Sequence, residues 1–269
     1  FNMNSKDPAL QELFSTKGFS GIYSTKYHLR LPPQVERISE RPAPGHSADW
    51  SEAPHQYVHF RTDAEPAAGD YITGRRWFLK NDHTAIGGLY VSETTDTFYR
   101  NGRAHELIFV HRGSGRLRSE FGRVDFGQGD YLVCPKGSTY HLEFDEVAGN
   151  KCLLVESTEP FEIPANYKND SGQILEHAPY SERDFRPPVL EEPVDADGDY
   201  LLVLKVGDRW FDYHLPHHPF DVAGWDRNYP PYVYDLQDFA PVGNLRFDHG
   251  DPSLFTVLTS GLDEQGAHG

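Results

Sequence analysis

Short strand-like segments recur about every ten residues from Asp70 onward, and this spacing limits the possible folds more than any other feature. Each segment combines β-branched and aromatic residues, and glycine, asparagine or aspartate separates it from the next. They read YITGRRWFLKN, TAIGGLYVSET, DTFYRNGRAHELIFVHRGSG, GRLRSEFGRVDFG and GDYLVCPKGSTYHLEF. No long amphipathic helical pattern accompanies them. The pattern predicts an all-β chain, built as an antiparallel sandwich or barrel.

The rest of the sequence divides into an arm, a connecting segment and a second strand-rich region. Residues 1–60 are polar and irregular, and we expect them to form an extended arm. Residues 61–160 hold the first β-sandwich, and the proline-rich, acidic residues 161–198 are expected to be a linker that is mostly loop. Residues 199–269 are expected to start a second β unit. They carry few strands, so this region either completes the first unit or is cut short.

Composition argues for a folded domain and against nucleic-acid and membrane partners. Hydrophobic residues make up 38% of the 269, which is enough for a core. No run of about 18 apolar residues occurs, so the sequence predicts no membrane-spanning helix. The net charge of −16 repels phosphate backbones and anionic lipids.

The two cysteines, Cys134 and Cys152, lack the spacing of a metal site. We interpret them as reduced core thiols of a cytoplasmic protein, with a single disulfide as the alternative. The first residues, FNMNSKD, have neither the basic nor the apolar stretch of a signal peptide, which also favours the cytoplasm.

A glycine, five residues, a proline, one residue and a glycine follow each other from Gly129 through Pro135 to Gly137. The glycines allow tight turns between strands, and the proline ends the strand. This string resembles the second motif of the cupin superfamily. Glu106, seven residues before Gly113, is similar to the end of the first cupin motif. The resemblance implies a cupin-like β-sandwich or jelly roll, with a second, incomplete cupin-like unit after it.

The same comparison argues against a metal in the first sandwich. Cupin metal sites use two histidines of an HxH pair, the glutamate and a later histidine. Here Tyr99–Gly102 stands where the pair belongs, and His105 is adjacent to Glu106. His141 follows Gly137 by four residues rather than three, and one residue on a strand turns the side chain to the other face. We predict no catalytic metal here. A metal-dependent cupin enzyme that uses Glu106, His105 and His141 stays open as an alternative.

Three histidines lie within five residues at His214-Leu-Pro-His217-His218. A metal site is one interpretation of this cluster. The other is a loop made rigid by Pro216 and Pro219, in which the imidazoles form ordinary hydrogen bonds. We favour the loop.

Two long strings near the C-terminus are specific in composition: HPFDVAGWDRNYPPYVYDL over His218–Leu236 and FDHGDPSLFTVLTS over Phe247–Ser260. They resemble the homogentisate 1,2-dioxygenases, the ring-cleaving enzymes of tyrosine and phenylalanine catabolism. An extended arm followed by a cupin-type strand series without iron also matches the layout of that family. The resemblance therefore extends over the whole chain.

The resemblance implies an Fe(II)-dependent dioxygenase that converts homogentisate and O2 to maleylacetoacetate and forms trimers or hexamers. By motif match, His249 is the active-site histidine that binds the phenolic hydroxyl of the substrate and accepts its proton. An imidazole with a near-neutral pKa suits that task. The alternative is a histidine that caps the turn into Asp251-Pro252-Ser253.

The iron ligands of that family are a His-x5-Glu pair and a further histidine, all after an FPPRW-like strand that follows the LTS segment. The second β region of this sequence contains no such pair. We therefore expect the chain as it stands to bind no iron and to be an inactive fragment of a longer enzyme. A metal-free cupin used for binding or assembly is a further alternative.

Overall fold

The structure is a computed structural model that describes residues 10–32, 34–44, 57, 59–241, 249–250 and 253–261. Over these residues the chain is all β, which confirms the predicted fold class. Two seven-stranded sheets form a sandwich, and a three-stranded sheet and two strand pairs lie outside it. The helical residues of the described part form short 3-10 turns at Thr62–Ala64, Ala165–Tyr167, Glu182–Asp184 and Leu236–Asp238.

Strands are numbered along the chain. In spatial order the first sheet contains β14 (Phe185–Arg186), β18 (Tyr232–Asp235), β10 (Asp130–Cys134), β7 (His105–Arg112), β12 (Lys151–Ser157), β5 (Thr84–Leu89) and β4 (Arg75–Lys80). The second contains β3 (Arg37–Arg41), β16 (Arg209–His217), β15 (Asp197–Val206), β6 (Phe98–Asn101), β11 (Thr139–Phe144), β8 (Gly115–Ser119) and β9 (Gly122–Phe126). The third contains β1 (Leu10–Lys17), β2 (Ser20–His28) and β17 (Val222–Arg227), and the pairs are β13 (Phe161–Glu162) with β21 (Thr259–Ser260) and β19 (His249–Gly250) with β20 (Ser253–Leu254).

The core lies between the two large sheets and follows the alternation of the strands. On β9, Val124 and Phe126 are buried, whereas Arg123 and Asp125 between and beside them are exposed. Side chains of successive strand residues point to opposite faces, so this alternation places one apolar row inside the sandwich. The inward residues of both sheets form one cluster, which includes Ile108, Val110, Leu117, Leu132, Leu142 and Leu154.

The glycine–proline motif forms the turns that the sequence predicted. Gly129 and Gly137 adopt positive φ angles of 96° and 90°, a conformation that side chains with a Cβ rarely take. β10 lies between them and ends immediately before Pro135. The motif therefore places a sharp turn at each end of β10.

The second β region joins the sheets of the first. β15 pairs in parallel with β6, β16 follows it to the outer side, and β18 pairs with β10. Residues 199–269 were expected either to complete the first sandwich or to be cut short. The strands up to Asp235 complete the first sandwich. The four predicted domain ranges stay a prediction.

The segment over residues 161–198 contains few regular elements, but it is packed rather than loose. Tyr167 and Tyr180 are buried together with Tyr234 of β18. The Tyr180 and Tyr234 rings meet edge to face with centroids 5.7 Å apart, the geometry that aromatic quadrupoles prefer. The segment therefore covers part of the sandwich.

Residues 10–28 of the predicted arm form a hairpin, and Arg37–Arg41 joins the second sheet as β3. The hairpin pairs with β17, and buried charges hold it there. His28 donates from Nδ1 to Asp221 (2.8 Å) and from Nε2 to Glu12 (3.1 Å). Lys26, 1% exposed, bridges Glu12 (2.5 Å) and Glu120 (3.0 Å). We call these five residues the hairpin network. Partners so far apart in sequence give no local pattern, so the sequence could not predict the hairpin's attachment.

Cys134 and Cys152 are free and buried, as predicted for core thiols. Burial raises the pKa of Cys152 to about 12, so that thiol is neutral at physiological pH. No helix of the described residues is long and apolar enough to cross a membrane.

Candidate functional site

His249, the predicted catalytic residue, lies in the short strand β19, where its backbone pairs with Leu254 of β20. Gly250 pairs with Ser253 in the same antiparallel register. The His249 side chain and the neighbours Asp248 and Asp251 lie outside the described residues. The catalytic role of His249 therefore stays a prediction.

A second polar site occupies the centre of the sandwich, where Glu106 of β7 points between the sheets. Glu106 is 1% exposed. Its Oε1 accepts from Arg75 (2.6 Å), the Tyr99 hydroxyl (3.0 Å) and Asn101 Nδ2 (3.2 Å). Its Oε2 accepts from the Tyr140 hydroxyl (2.6 Å). These donors come from three different strands, β4, β6 and β11, so the folded sandwich assembles the site.

Arg75 supplies the positive charge at this centre. Its guanidinium is fully buried, donates to the Tyr140 hydroxyl (2.9 Å) and the Tyr71 carbonyl (3.2 Å), and lies 4.2 Å from the Tyr99 ring centroid. Burial is the largest single effect and would raise the pKa of Glu106, but the charge of Arg75, the hydrogen bonds from Tyr140 and Arg75, and the charge of Lys205 together lower it. Arg75 and Glu106 are therefore both ionised, and each neutralises the charge of the other.

A second acid–base pair lies beside the first. Glu156 of β12 stands directly opposite Glu106 in the sheet, an arrangement that is destabilising without compensating cations. Lys205 donates to both carboxylate oxygens of Glu156, and Asn101 Nδ2 donates to Glu156 Oε1 (3.0 Å) as well as to Glu106. Burial is the largest effect on both ions: it raises the pKa of Glu156 and lowers that of Lys205. We call Arg75, Asn101, Glu106, Glu156 and Lys205 the sandwich network.

The histidines of the alternative metal site do not join Glu106. His105 Nδ1 accepts from the Lys136 backbone N–H (3.2 Å) and lies 3.1 Å from the Tyr229 hydroxyl. Burial, with a smaller contribution from Lys136, lowers its pKa to about 4, so His105 is neutral. His141 donates through Nε2 to the Thr95 carbonyl (2.6 Å). Tyr140, one residue earlier, points to Glu106 instead, which is the change of face that the one-residue shift predicted.

The sandwich centre does not fit an iron ion. The four donors to Glu106 use its two oxygens, and the Arg75 guanidinium already supplies the compensating charge. Within the described residues, no three His, Cys, Asp or Glu side chains come together in a group that would hold a metal. Sequence reasoning missed Arg75, Glu156 and Lys205. Only the alternation of their strands could have pointed to an inward charge.

The predicted histidine loop belongs largely to a strand. His214 and His217 lie in β16, and His218 follows its end. His214 Nδ1 is 2.7 Å from Asp199, whereas His218 accepts the Phe220 backbone N–H (3.1 Å). Burial, followed by the charge of Arg118, lowers the pKa of His218 to about 4. His217 Nδ1 lies 3.2 Å from the His218 carbonyl oxygen, so the three imidazoles have different partners, as ordinary structural histidines do.

Comparisons with known proteins identify relatives of this chain, and two family profiles match consecutive parts of residues 78–269. The family profile described as Homogentisate 1,2-dioxygenase N-terminal matches residues 78–236, and the profile described as Homogentisate 1,2-dioxygenase C-terminal matches residues 237–269. A protein of Saccharolobus solfataricus named "Putative dioxygenase" is 33% identical over 252 residues, covering 93% of this chain and 64% of that protein. A homogentisate 1,2-dioxygenase of Bradyrhizobium diazoefficiens is 35% identical over 261 residues, covering 91% of this chain and 57% of that protein.

The chain spans 57–64% of the length of these two relatives. Among solved structures, a cupin 2 conserved barrel domain protein from Leptotrichia buccalis is 14% identical, with a TM-score of 0.27. The match covers 60% of this chain and 82% of that one.

Proposed function

The chain belongs to the homogentisate 1,2-dioxygenase family, and from this membership we propose that the whole protein is an Fe(II)-dependent dioxygenase of homogentisate. The proposed reaction opens the aromatic ring with O2 and gives maleylacetoacetate, a step of tyrosine and phenylalanine catabolism. The observation that carries the proposal is the consecutive match of the N-terminal and C-terminal family profiles, which meet between residues 236 and 237.

We propose that His249 binds the phenolic hydroxyl of the substrate and accepts its proton. Deprotonation makes the ring richer in electrons and so prepares it for attack by oxygen. An unperturbed imidazole has a pKa near 6.5, so it is unprotonated at neutral pH and ready to accept. The pairing of β19 with β20 supports this role, because it fixes the backbone position of His249.

Iron is not assigned to any described residue, because the sandwich centre is filled by Arg75 and its partners. We propose that Fe(II) is bound by the portion of the family's length that this chain does not cover. It follows that the 269-residue chain alone should neither bind iron nor turn over homogentisate. When bound, the iron would supply the activation of oxygen and the ordering of the substrate.

The test uses the full-length protein loaded with Fe(II), with oxygen consumption measured on homogentisate and on 3,4-dihydroxyphenylacetate. We expect turnover of homogentisate, and a kcat for His249→Asn that is lower by about 10²–10⁴-fold, as for other lost general bases. The acidic limb of the pH profile should disappear with it. His111→Asn, at an exposed histidine, is the matched control and should keep the wild-type rate.

Two results would overturn this assignment in different ways. A wild-type rate and pH profile in His249→Asn would remove the role of that residue, and preference for 3,4-dihydroxyphenylacetate would change the substrate. Stoichiometric iron in the 269-residue chain, lost on His141→Ala, would favour the metal-dependent first-sandwich alternative. A metal-free full-length protein that binds an aromatic acid without turnover would favour the binding or assembly alternative.

We also propose that the protein is cytoplasmic and forms a homotrimer or homohexamer. Two free, buried thiols suit a reducing compartment. The hairpin of β1 and β2 carries exposed apolar side chains at Leu13 (42%), Phe19 (100%) and Ile22 (50%), which suit contact with a second copy. Light scattering on Leu13→Ser/Ile22→Ser should then give a smaller mass than the wild type, and an unchanged mass would count against this interface.

A further inference from the structure

A cavity of about 650 Å³ opens beside the sandwich network, between β4, β5, β12 and β15. Cavities of this size hold one small molecule. Its floor reaches Asn101, Glu156 and Lys205, and two tryptophans, Trp77 and Trp210, form a wall. Neither the family role of His249 nor iron involves these residues.

The tryptophan wall favours a flat ligand. Trp210 is 3% exposed, whereas Trp77 is only partly buried, packs against the core and lines the cavity. Lys205 Nζ lies 4.5 Å from the Trp77 centroid and 5.7 Å from the Trp210 centroid, so an ammonium already satisfies the electron-rich rings. A ligand cation would compete with that resident charge, whereas the flat face of an uncharged ring would pack against the part of the Trp77 indole that lines the cavity.

The floor favours a hydroxyl group. Glu156 and Lys205 are both more than 90% buried and neutralise each other. A carboxylate offers about four lone-pair sites, and Lys205 and Asn101 use three of those on Glu156. A hydroxyl can donate to the remaining site, whereas an anionic ligand would face the buried carboxylate and pay for its repulsion.

The rim repeats this balance of charge. Lys80 forms an ion pair with Asp208, and Arg103 and Asp82 add one charge of each sign. The lining as a whole has as many acidic as basic side chains, counted with Glu156 and Lys205. Such a rim offers donors and acceptors to several hydroxyls without attracting either sign of net charge.

We propose that this cavity binds one small, uncharged ring compound that carries hydroxyl groups, with the ring against Trp77 and a hydroxyl at the Glu156–Lys205 pair. Two sources share this chemistry: a monosaccharide, which offers an apolar ring face, and a phenol, which offers an aromatic one. The inference does not depend on the proposed dioxygenase activity.

Saturation-transfer NMR and calorimetry on the iron-free 269-residue chain test the proposal. The probes are D-glucose and D-mannose for the sugar arm, hydroquinone for the phenol arm, and benzoate and inorganic phosphate as charged counterparts. We expect one uncharged arm to bind with a Kd below about 10 mM and more tightly than both anions. Failure of every uncharged probe at that concentration, or tighter binding of either anion, overturns it. Neither result bears on homogentisate turnover, which needs the iron-loaded full-length protein.

Two variants locate the binding. Trp77→Leu should weaken it by about tenfold, because the stacking face is lost. Trp225→Leu, the same change at a partly exposed tryptophan outside the cavity, should leave the Kd unchanged. Glu156→Gln should also weaken it, and thermal melts establish whether each variant is folded. If Glu156→Gln does not fold, Trp77→Leu and its control still decide, and equal affinity in both tryptophan variants overturns the placement.

Discussion

The sandwich network and the hairpin network both bury charge, but they respond differently to pH. At the sandwich centre a guanidinium pairs with Glu106 in complete burial, and arginine does not lose its proton in proteins. In the hairpin network, His28 takes the position between two carboxylates. Burial would lower the pKa of His28, but its hydrogen bonds to Asp221 and Glu12 raise it to about 9.

The difference shows what each network holds together. The sandwich network links β4, β6, β7, β12 and β15 inside one core, where any unpaired charge would be surrounded by protein. The hairpin network joins β1 and β2 to β17, at a place where Glu12 is still 36% exposed. The fixed charge of Arg75 therefore keeps Glu106 paired at all ordinary pH values, whereas the titratable His28 makes the hairpin's attachment depend on pH.

Breaking the sandwich network should have the largest effect. Arg75→Met leaves Glu106 buried without its cation, and we expect a loss of about 3–5 kcal/mol in the free energy of unfolding, measured by urea denaturation. The double variant Arg75→Met/Glu106→Leu should recover most of this loss, because no buried charge is left unpaired. Arg209→Met, at the exposed pair with Glu40, is the control and should change little.

A loss of less than about 1 kcal/mol in Arg75→Met would contradict this account. It would mean that water reaches Glu106 in the variant. A deficit in the double variant equal to that in Arg75→Met would instead assign the loss to packing of the arginine side chain.

The hairpin network should give a smaller effect that depends on pH. The pKa of His28 is raised, so its contribution is complete below about pH 6.5 and disappears as the pH rises through about 9. We expect the wild type to lose up to about 3 kcal/mol of stability over this range relative to His28→Gln. Urea midpoints of both proteins between pH 6 and 9.5 measure the difference. Parallel curves for the two proteins would show that His28 does not titrate as inferred.

The contrast between the networks also marks how far the sequence could predict the structure. The glycines at 129 and 137, and the change of face between Tyr140 and His141, were predictable because turns and strand alternation are local properties. Lys205 and Asp221 were not, since their partners Glu156 and His28 lie 49 and 193 residues away. Periodicity finds an apolar face, but it does not say which buried acid meets which distant base.

The proposed active site illustrates the opposite limit. The string around His249 suggested a function through a family resemblance, and family membership is now established over residues 78–269. The role of the imidazole itself was never derivable from spacing, because a histidine before a tight turn has an equally good structural interpretation. The string around His249 thus indicated a function through resemblance to a family, although turn and strand rules assign no chemistry to that histidine.

Glu12, the partly exposed acid of the hairpin network, should give the smallest effect. Burial would raise the pKa of Glu12, but contacts with His28 and Lys26 lower it to about 2. Its contribution is therefore present above about pH 4.5 and is lost as the pH falls towards 2. Because its side chain is 36% exposed, solvent screens these contacts, and we expect Glu12→Gln to cost only about 1 kcal/mol at pH 7.

Below pH 4.5 the stabilities of wild type and Glu12→Gln should converge, and urea midpoints at pH 7, 4.5 and 3 measure this. Glu36→Gln, at an exposed position on the loop before β3, is the matched control and should change stability little. If Glu12→Gln instead cost as much as Arg75→Met, the hairpin network would be as closed to water as the sandwich centre. The distinction between a permanent and a titratable ion network would then fail, because both would depend on burial alone.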